Sequence, residues 1–202
     1  MALVDRVKNI LLSPGTEWRA IDAEPATVSS LYTGYIAPLA AIPAICQAIG
    51  MSMIGTSVAF VGSYKTPFGS ALASAVVMYV FSLATVYVIA LIVDALAPTF
   101  GGTKNMTQAL KVVAYSFTAA WVGGVFSLIP VLGIITLLFV LYSLYLLFLG
   151  LPVLMKAPAD KAIGYTVVVV ICTLVVSWVI FWVVGMLGLG YGAGAMATGT
   201  TR

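Results

Sequence analysis

Between Lys111 and Lys156 lie 44 residues without a single charged side chain, and this run constrains the rest of the chain. A helix rises about 1.5 Å per residue and a bilayer core needs roughly 20 residues, so the run is too long for one crossing. Pro130, within Ile129-Pro130-Val131-Leu132-Gly133, divides it. Proline offers no amide hydrogen and disfavours helix at the residue before it, which predicts a turn there. Residues 112–129 and 131–155 then read as two antiparallel membrane helices with almost no loop. In hydrocarbon every backbone polar group needs an internal partner, and a helix provides one.

Composition excludes several classes. The 202 residues are 62% hydrophobic and 7% charged, against about 25% charged in a soluble domain. A net charge of +3 on scattered lysines and arginines argues against a nucleic-acid partner. Histidine is absent, which removes the commonest general base and metal ligand. Cys46 and Cys172 stand in separate apolar runs with no further ligand at useful spacing, and read as small apolar residues. No cofactor and no metal are expected.

Residues 1–30 read as a cytoplasmic amphipathic segment. Leu3, Val7, Ile10 and Leu11 fall on one helical face, with Asp5, Arg6, Lys8 and Asn9 largely opposite. This pattern suits a short helix in the headgroup region with its apolar face toward lipid, the alternative being a soluble lid or a frayed terminus. Ser13-Pro14 ends it and opens a second turn, in which Trp18 and Ile21 share a face and Trp18 suits the interface.

The fold expected is an all-α integral membrane protein with five transmembrane helices. The spans fall near 31–62, 68–97, 110–129, 131–152 and 162–187, followed by a glycine-rich tail, 188–202. The first run holds Pro38, Pro43, Gly50 and Gly55 and fits either one long tilted helix or a span with a surface extension. Asn105 and Gln108 read as a capping pair for the third span. That span carries two small-residue ridges, Ser116/Ala120/Gly124 and Ala119/Gly123/Ser127, which predict close neighbours on both sides. Five spans put the termini on opposite sides. An inner N-terminus places Arg6, Lys8, Arg19, Lys104, Lys111, Lys156 and Lys161 inside and only Lys65 and Arg202 outside.

Candidate functional polar or packing residues are Asp94, Gln47, Tyr115, Ser116, Gly124, Pro130 and Tyr142. Asp94 is the only acid adjoining a span, and Lys104 or Lys111 could pair with it. Gln47 suits an interhelical hydrogen bond. An enzyme would need a nucleophile with a base, paired acids or a metal site, and the sequence assembles none. A scaffold that binds membrane proteins or organises lipid is the leading reading. The alternative is a small permease or channel subunit, using Gln47, Asp94 and the hydroxyls of the second and third spans.

One family shares this pattern. Asp5-Arg6-Val7-Lys8-Asn9-Ile10-Leu11-Leu12 with Trp18, and Leu31-Tyr32-Thr33-Gly34-Tyr35-Ile36 with Pro38 and Pro43, carry its first part. Tyr115-Ser116, Ile129-Pro130, Leu141-Tyr142-Ser143-Leu144-Tyr145, Gly150-Leu151-Pro152, Lys161 and Tyr165 continue it. Over nearly its whole length the chain resembles the Yip family (the Ypt/Rab-interacting proteins), in its short bacterial branch. The resemblance implies five membrane helices and a cytoplasmic N-terminus. In eukaryotic relatives it implies vesicle traffic through Rab-type GTPases, but those carry a longer N-terminal region, and their Tyr-Gly-Tyr element is here Val113-Ala114-Tyr115. Rab-type GTPase binding is therefore not supported. The partners expected are the lipid bilayer and other membrane proteins or a second copy of the chain.

Overall fold

The computed structural model describes residues 2–58 and 62–186. Two short helices, α1 (Leu3–Leu12) and α2 (Pro14–Ala23), precede the long ones. Five helices are long and apolar enough to cross a membrane: α3 (Val28–Ile54), α4 (Phe68–Phe100), α5 (Met106–Leu128), α6 (Gly133–Leu154) and α7 (Ala159–Met186). The chain is an all-α membrane protein. The tail from 188, Arg202 included, lies outside the described residues.

Local chemistry sets the helix starts. The Ser13 amide closes α1 onto the Asn9 carbonyl, and Pro14 opens α2, where its missing N–H has no helical partner to lose. Thr27 and Ser30 form a reciprocal capping box, so α3 starts at Val28, ahead of its uncharged run. The Asn105 side chain accepts the Gln108 amide at 3.1 Å, the expected capping pair, and α5 begins at Met106. The first run is not helical throughout. Helix ends at Ile54, Gly55 takes φ +84°, and Thr56–Val58 (β1) pairs antiparallel with Gly62–Tyr64 (β2). A positive φ at Gly55 turns the chain at little steric cost.

The reversal between α5 and α6 is spread wider than a single proline turn. Regular helix stops at Gly123, tightens into 3-10 geometry over Gly124–Leu128, and resumes at Gly133 after a 3-10 turn at Pro130–Leu132. The Ile129 and Leu132 amides bond to the Phe126 and Ile129 carbonyls, so the turn satisfies its own backbone.

α5 is the central helix. Within its most apolar window 72% is buried, against 11–28% in the other four spans. Its two ridges meet two neighbours. A Cβ on Gly123 would run into the Phe139 side chain of α6, and one on Gly124 would lie 2.5 Å from Pro43 Cβ of α3. Gly123→Ala and Gly124→Ala should each lower stability by about 1–3 kcal/mol, the usual effect of overpacking. Gly133→Ala, where a Cβ meets nothing within 4 Å, should not. Thermal unfolding in mild detergent checks this, and equal melting points for all three would remove the close-approach explanation.

The bundle has two unlike ends. At one, α1 and α2 meet the α4–α5 and α6–α7 connections, with the Thr103 amide on the Met155 carbonyl at 2.8 Å and Lys156 paired with Asp22. At the other, Gly50 lies against the Ser127 and Leu128 carbonyls beside the β1–β2 hairpin.

Candidate functional site

The N-terminal pair sits on protein. Ile10, Trp18 and Ile21 are fully buried, and Leu3, Val7 and Leu11 pack against the same core. The expectation that this face lies in lipid is therefore corrected, as is the reading of Trp18 as an interfacial anchor. Trp18 lies flat against α6 at Gly150, where a Cβ would come within 2.8 Å of the indole ring. Periodicity reveals an apolar stripe, but lipid and protein interior favour the same stripe. Arg6 is a second correction. It stands three residues after Leu3 and four before Ile10, so it shares their face, and it is 6% exposed.

Around Arg6 the buried charges close on themselves. Its guanidinium holds Glu17, near the start of α2, and Glu24, just past its end. The same guanidinium lies 5.7 Å from the centre of the Tyr115 ring, within cation–π range. Tyr115 packs on Tyr35 at 4.5 Å and meets Trp18 edge-on at 6.4 Å. A π-helical turn at Tyr32–Ile36 includes Tyr35, whose hydroxyl shares a 2.7 Å hydrogen bond with Thr118 of α5.

The bundle also caps both short helices. Helix C-termini leave carbonyls without partners. Lys111 Nζ donates to the Ile21 carbonyl at 2.8 Å and to that of Glu24. Gln108 donates to the Asp22 carbonyl and carboxylate, and the Tyr142 hydroxyl donates to the Leu11 carbonyl at 2.7 Å. A cation at the negative end of α2 is also favoured by the helix dipole. Lys111 is thus a buried cap, 3% exposed, rather than a flanking charge.

Two cavities flank the strap at Glu24-Pro25-Ala26. One of about 280 Å³ is lined by Arg6, Glu24, Gly34, Tyr35, Lys111 and Tyr115 among others. Another of about 310 Å³ has Asp22, Asn105 and Gln108 in its wall and shares Glu24 and Lys111. Tyr115 is 8% exposed, and its hydroxyl has no hydrogen-bond partner among the described residues.

The residues named from sequence do not form one site. Tyr115 and Tyr142 belong to this polar end. Gly124 and Pro130 belong to the packing and turn at the far end of α5. Gln47 is half-buried on α3, with no hydrogen bond to another helix among the described residues. Ser116 is 4% exposed and its hydroxyl is unpartnered there. Asp94 has one buried oxygen without a partner, beside Val93, whose carbonyl accepts the Tyr165 hydroxyl. Lys111 is engaged by α2, and no ion pair joins Asp94 to Lys104 or Lys111 among the described residues. Arg6, Glu17, Glu24 and Lys111 belong to the site without being among the residues named from sequence. The spacing of Arg6 to Leu3 and Ile10 is the signal that carries the first, while the other three have no local signature.

A family model described as the Yip1 domain matches residues 8–181. "Inner membrane protein YohC" of Escherichia coli strain K12 is 26% identical over 197 residues, covering 93% of this chain and 98% of the relative. The protein of the same name from strain O6:H1 matches equally. No solved structure matches.

Proposed function

The chain belongs to the Yip1 domain family, and we propose that it is a non-enzymatic module of the bacterial inner membrane that binds other membrane proteins and organises lipid at its polar end. The observation that carries this is the docking of α1 and α2. Arg6, Lys111, Gln108 and Tyr142 all act to hold two helices over the end of the bundle, which makes a shaped, polar, cavity-bearing surface. Likeness to an inner membrane protein over almost the whole of both chains supports the location. Gln47 and Asp94, the polar groups a permease would use, lie toward opposite ends of the bundle on α3 and α4.

Crosslinking in native membranes, followed by identification of what is captured, tests the reading. A stoichiometric membrane partner, a second copy of this chain included, is expected. No partner, together with solute flux in liposomes, would overturn it.

The polar end is assigned to the cytoplasm, because it gathers Arg6, Lys8, Arg19, Lys104, Lys111, Lys156 and Lys161. A reporter active only outside the cell should work near Lys65 and after Arg202 and stay silent near Lys104 or Lys156. Activity at Lys104 would reverse the assignment.

A further inference from the structure

We propose that the cavity between α1, the Glu24–Ala26 strap, α3 and α5 receives the zwitterionic phosphoethanolamine headgroup of a glycerophospholipid; this rests on the lipid-organising part of the proposed function and names its ligand and site.

Depth is the first argument. The cavity wall includes Leu3, Ser30, Leu31 and Gly34. Gly34 lies about 9 Å along α3 from its first residue, Val28, by the helix rise, and Ser30 and Gly34 are exposed on the outer side of that helix. The opening is therefore level with the end of a membrane span, where headgroups sit, and apolar side chains flank it where acyl chains would begin.

Hydrogen-bonding capacity is the second. Tyr115 lines the cavity, and its hydroxyl donates to no partner among the described residues. Four residues earlier on α5 and in the same cavity wall, Lys111 gives two of its three ammonium hydrogens to the Ile21 and Glu24 carbonyls, leaving one. The oxygens of one phosphate can accept from these two donors. Glu24 supplies the opposite sign: one carboxylate oxygen holds Arg6, and its side chain is 43% exposed, so the other can accept from an ammonium.

Charge chooses among headgroups. Across the polar end Arg6, Lys111 and Lys156 are matched in number by Glu17, Glu24 and Asp22. A balanced cluster, part of it buried, favours a ligand that adds no net charge. A phosphate paired with an ammonium meets that condition and places each charge opposite its complement, which an anionic headgroup does not.

The full-length protein in detergent micelles is titrated with short-chain phosphatidylethanolamine, short-chain phosphatidylglycerol and inorganic phosphate, reading Tm and the lipid retained in native mass spectrometry. Phosphatidylethanolamine should raise Tm and be retained, and the other two should not. Tyr115→Phe should weaken the response at least about tenfold, the effect of losing one hydrogen bond to a charged group. Gly34→Leu should abolish it by filling the mouth, where an added Cβ meets nothing within 4 Å. Both variants should melt like the wild type without lipid. Should Gly34→Leu fail to fold, Tyr115→Phe alone decides. Equal stabilisation by phosphatidylglycerol, a response to inorganic phosphate, or an unchanged response in Tyr115→Phe would each overturn the site. Captured partners without a phosphatidylethanolamine response would sink the site alone. A response lost in Gly34→Leu with no captured partner would sink the partner-binding module and leave the site standing.

Discussion

Arg6→Met should lower stability by about 3–5 kcal/mol, the effect of breaking a buried ion pair by removing one partner. Arg6 and Glu17 are each 6% exposed, so the methionine leaves the Glu17 carboxylate with neither water nor counter-charge. The loss also reaches the Tyr115 ring, which no longer faces a cation. Glu24→Gln should do less, because that side chain is 43% exposed and water screens its half of the interaction. The double variant Arg6→Met/Glu17→Gln should recover part of the loss, since it no longer strands a charge. Unfolding of the purified chain in mild detergent reads the energies, and limited proteolysis at the exposed Arg19 reads whether α1 and α2 come away. A change under about 1 kcal/mol for Arg6→Met would mean that the clamp does not hold the helices.

Trp18→Ala should have a comparable effect, about 3–5 kcal/mol, because a fully buried indole leaves a cavity that a docked helix cannot close. Trp18→Phe should cost much less: the indole N–H it removes has no acceptor among the described residues. Gly150→Ala approaches the same contact from the other side and forces the ring away, for about 1–3 kcal/mol. In Trp18→Ala/Gly150→Ala the new methyl occupies part of the vacated space, so the two losses should add to less than their sum. Strict additivity would show that the ring and Gly150 do not meet in the membrane-embedded protein.

These two residues also mark how far the sequence could be read. Spans are legible because uncharged length is a direct demand of the bilayer. The central place of α5 is legible too, since glycine and alanine ridges on two faces record two close neighbours, here Phe139 and Pro43. Asn105 announced the start of α5 by its own side-chain chemistry. The site is another matter. An apolar stripe on α1 states that Ile10 is buried but not what buries it, and Trp18 suits a membrane surface as well as a core. Lys111 reads as the charged flank of a span because its carbonyl partners, in α2 and just past its end, lie 90 and 87 residues away. Nothing local foretells that pairing. Charges that neutralise one another across such distances look, one at a time, like solvated ones.

The docking of α1 and α2 has a consequence for biogenesis. Their anchors are encoded far downstream: Tyr142 grips the Leu11 carbonyl across 131 residues, and Lys156 pairs with Asp22 across 134. At about 5–20 residues per second, a ribosome needs roughly 7–27 s to make that intervening chain. Throughout that interval the first two helices exist without the α6 surface that will bury Trp18. Their amphipathic pattern suits a temporary berth among lipid headgroups. A stall or truncation before Lys156 should leave the N-terminal pair parked at the surface, open to quality-control proteases.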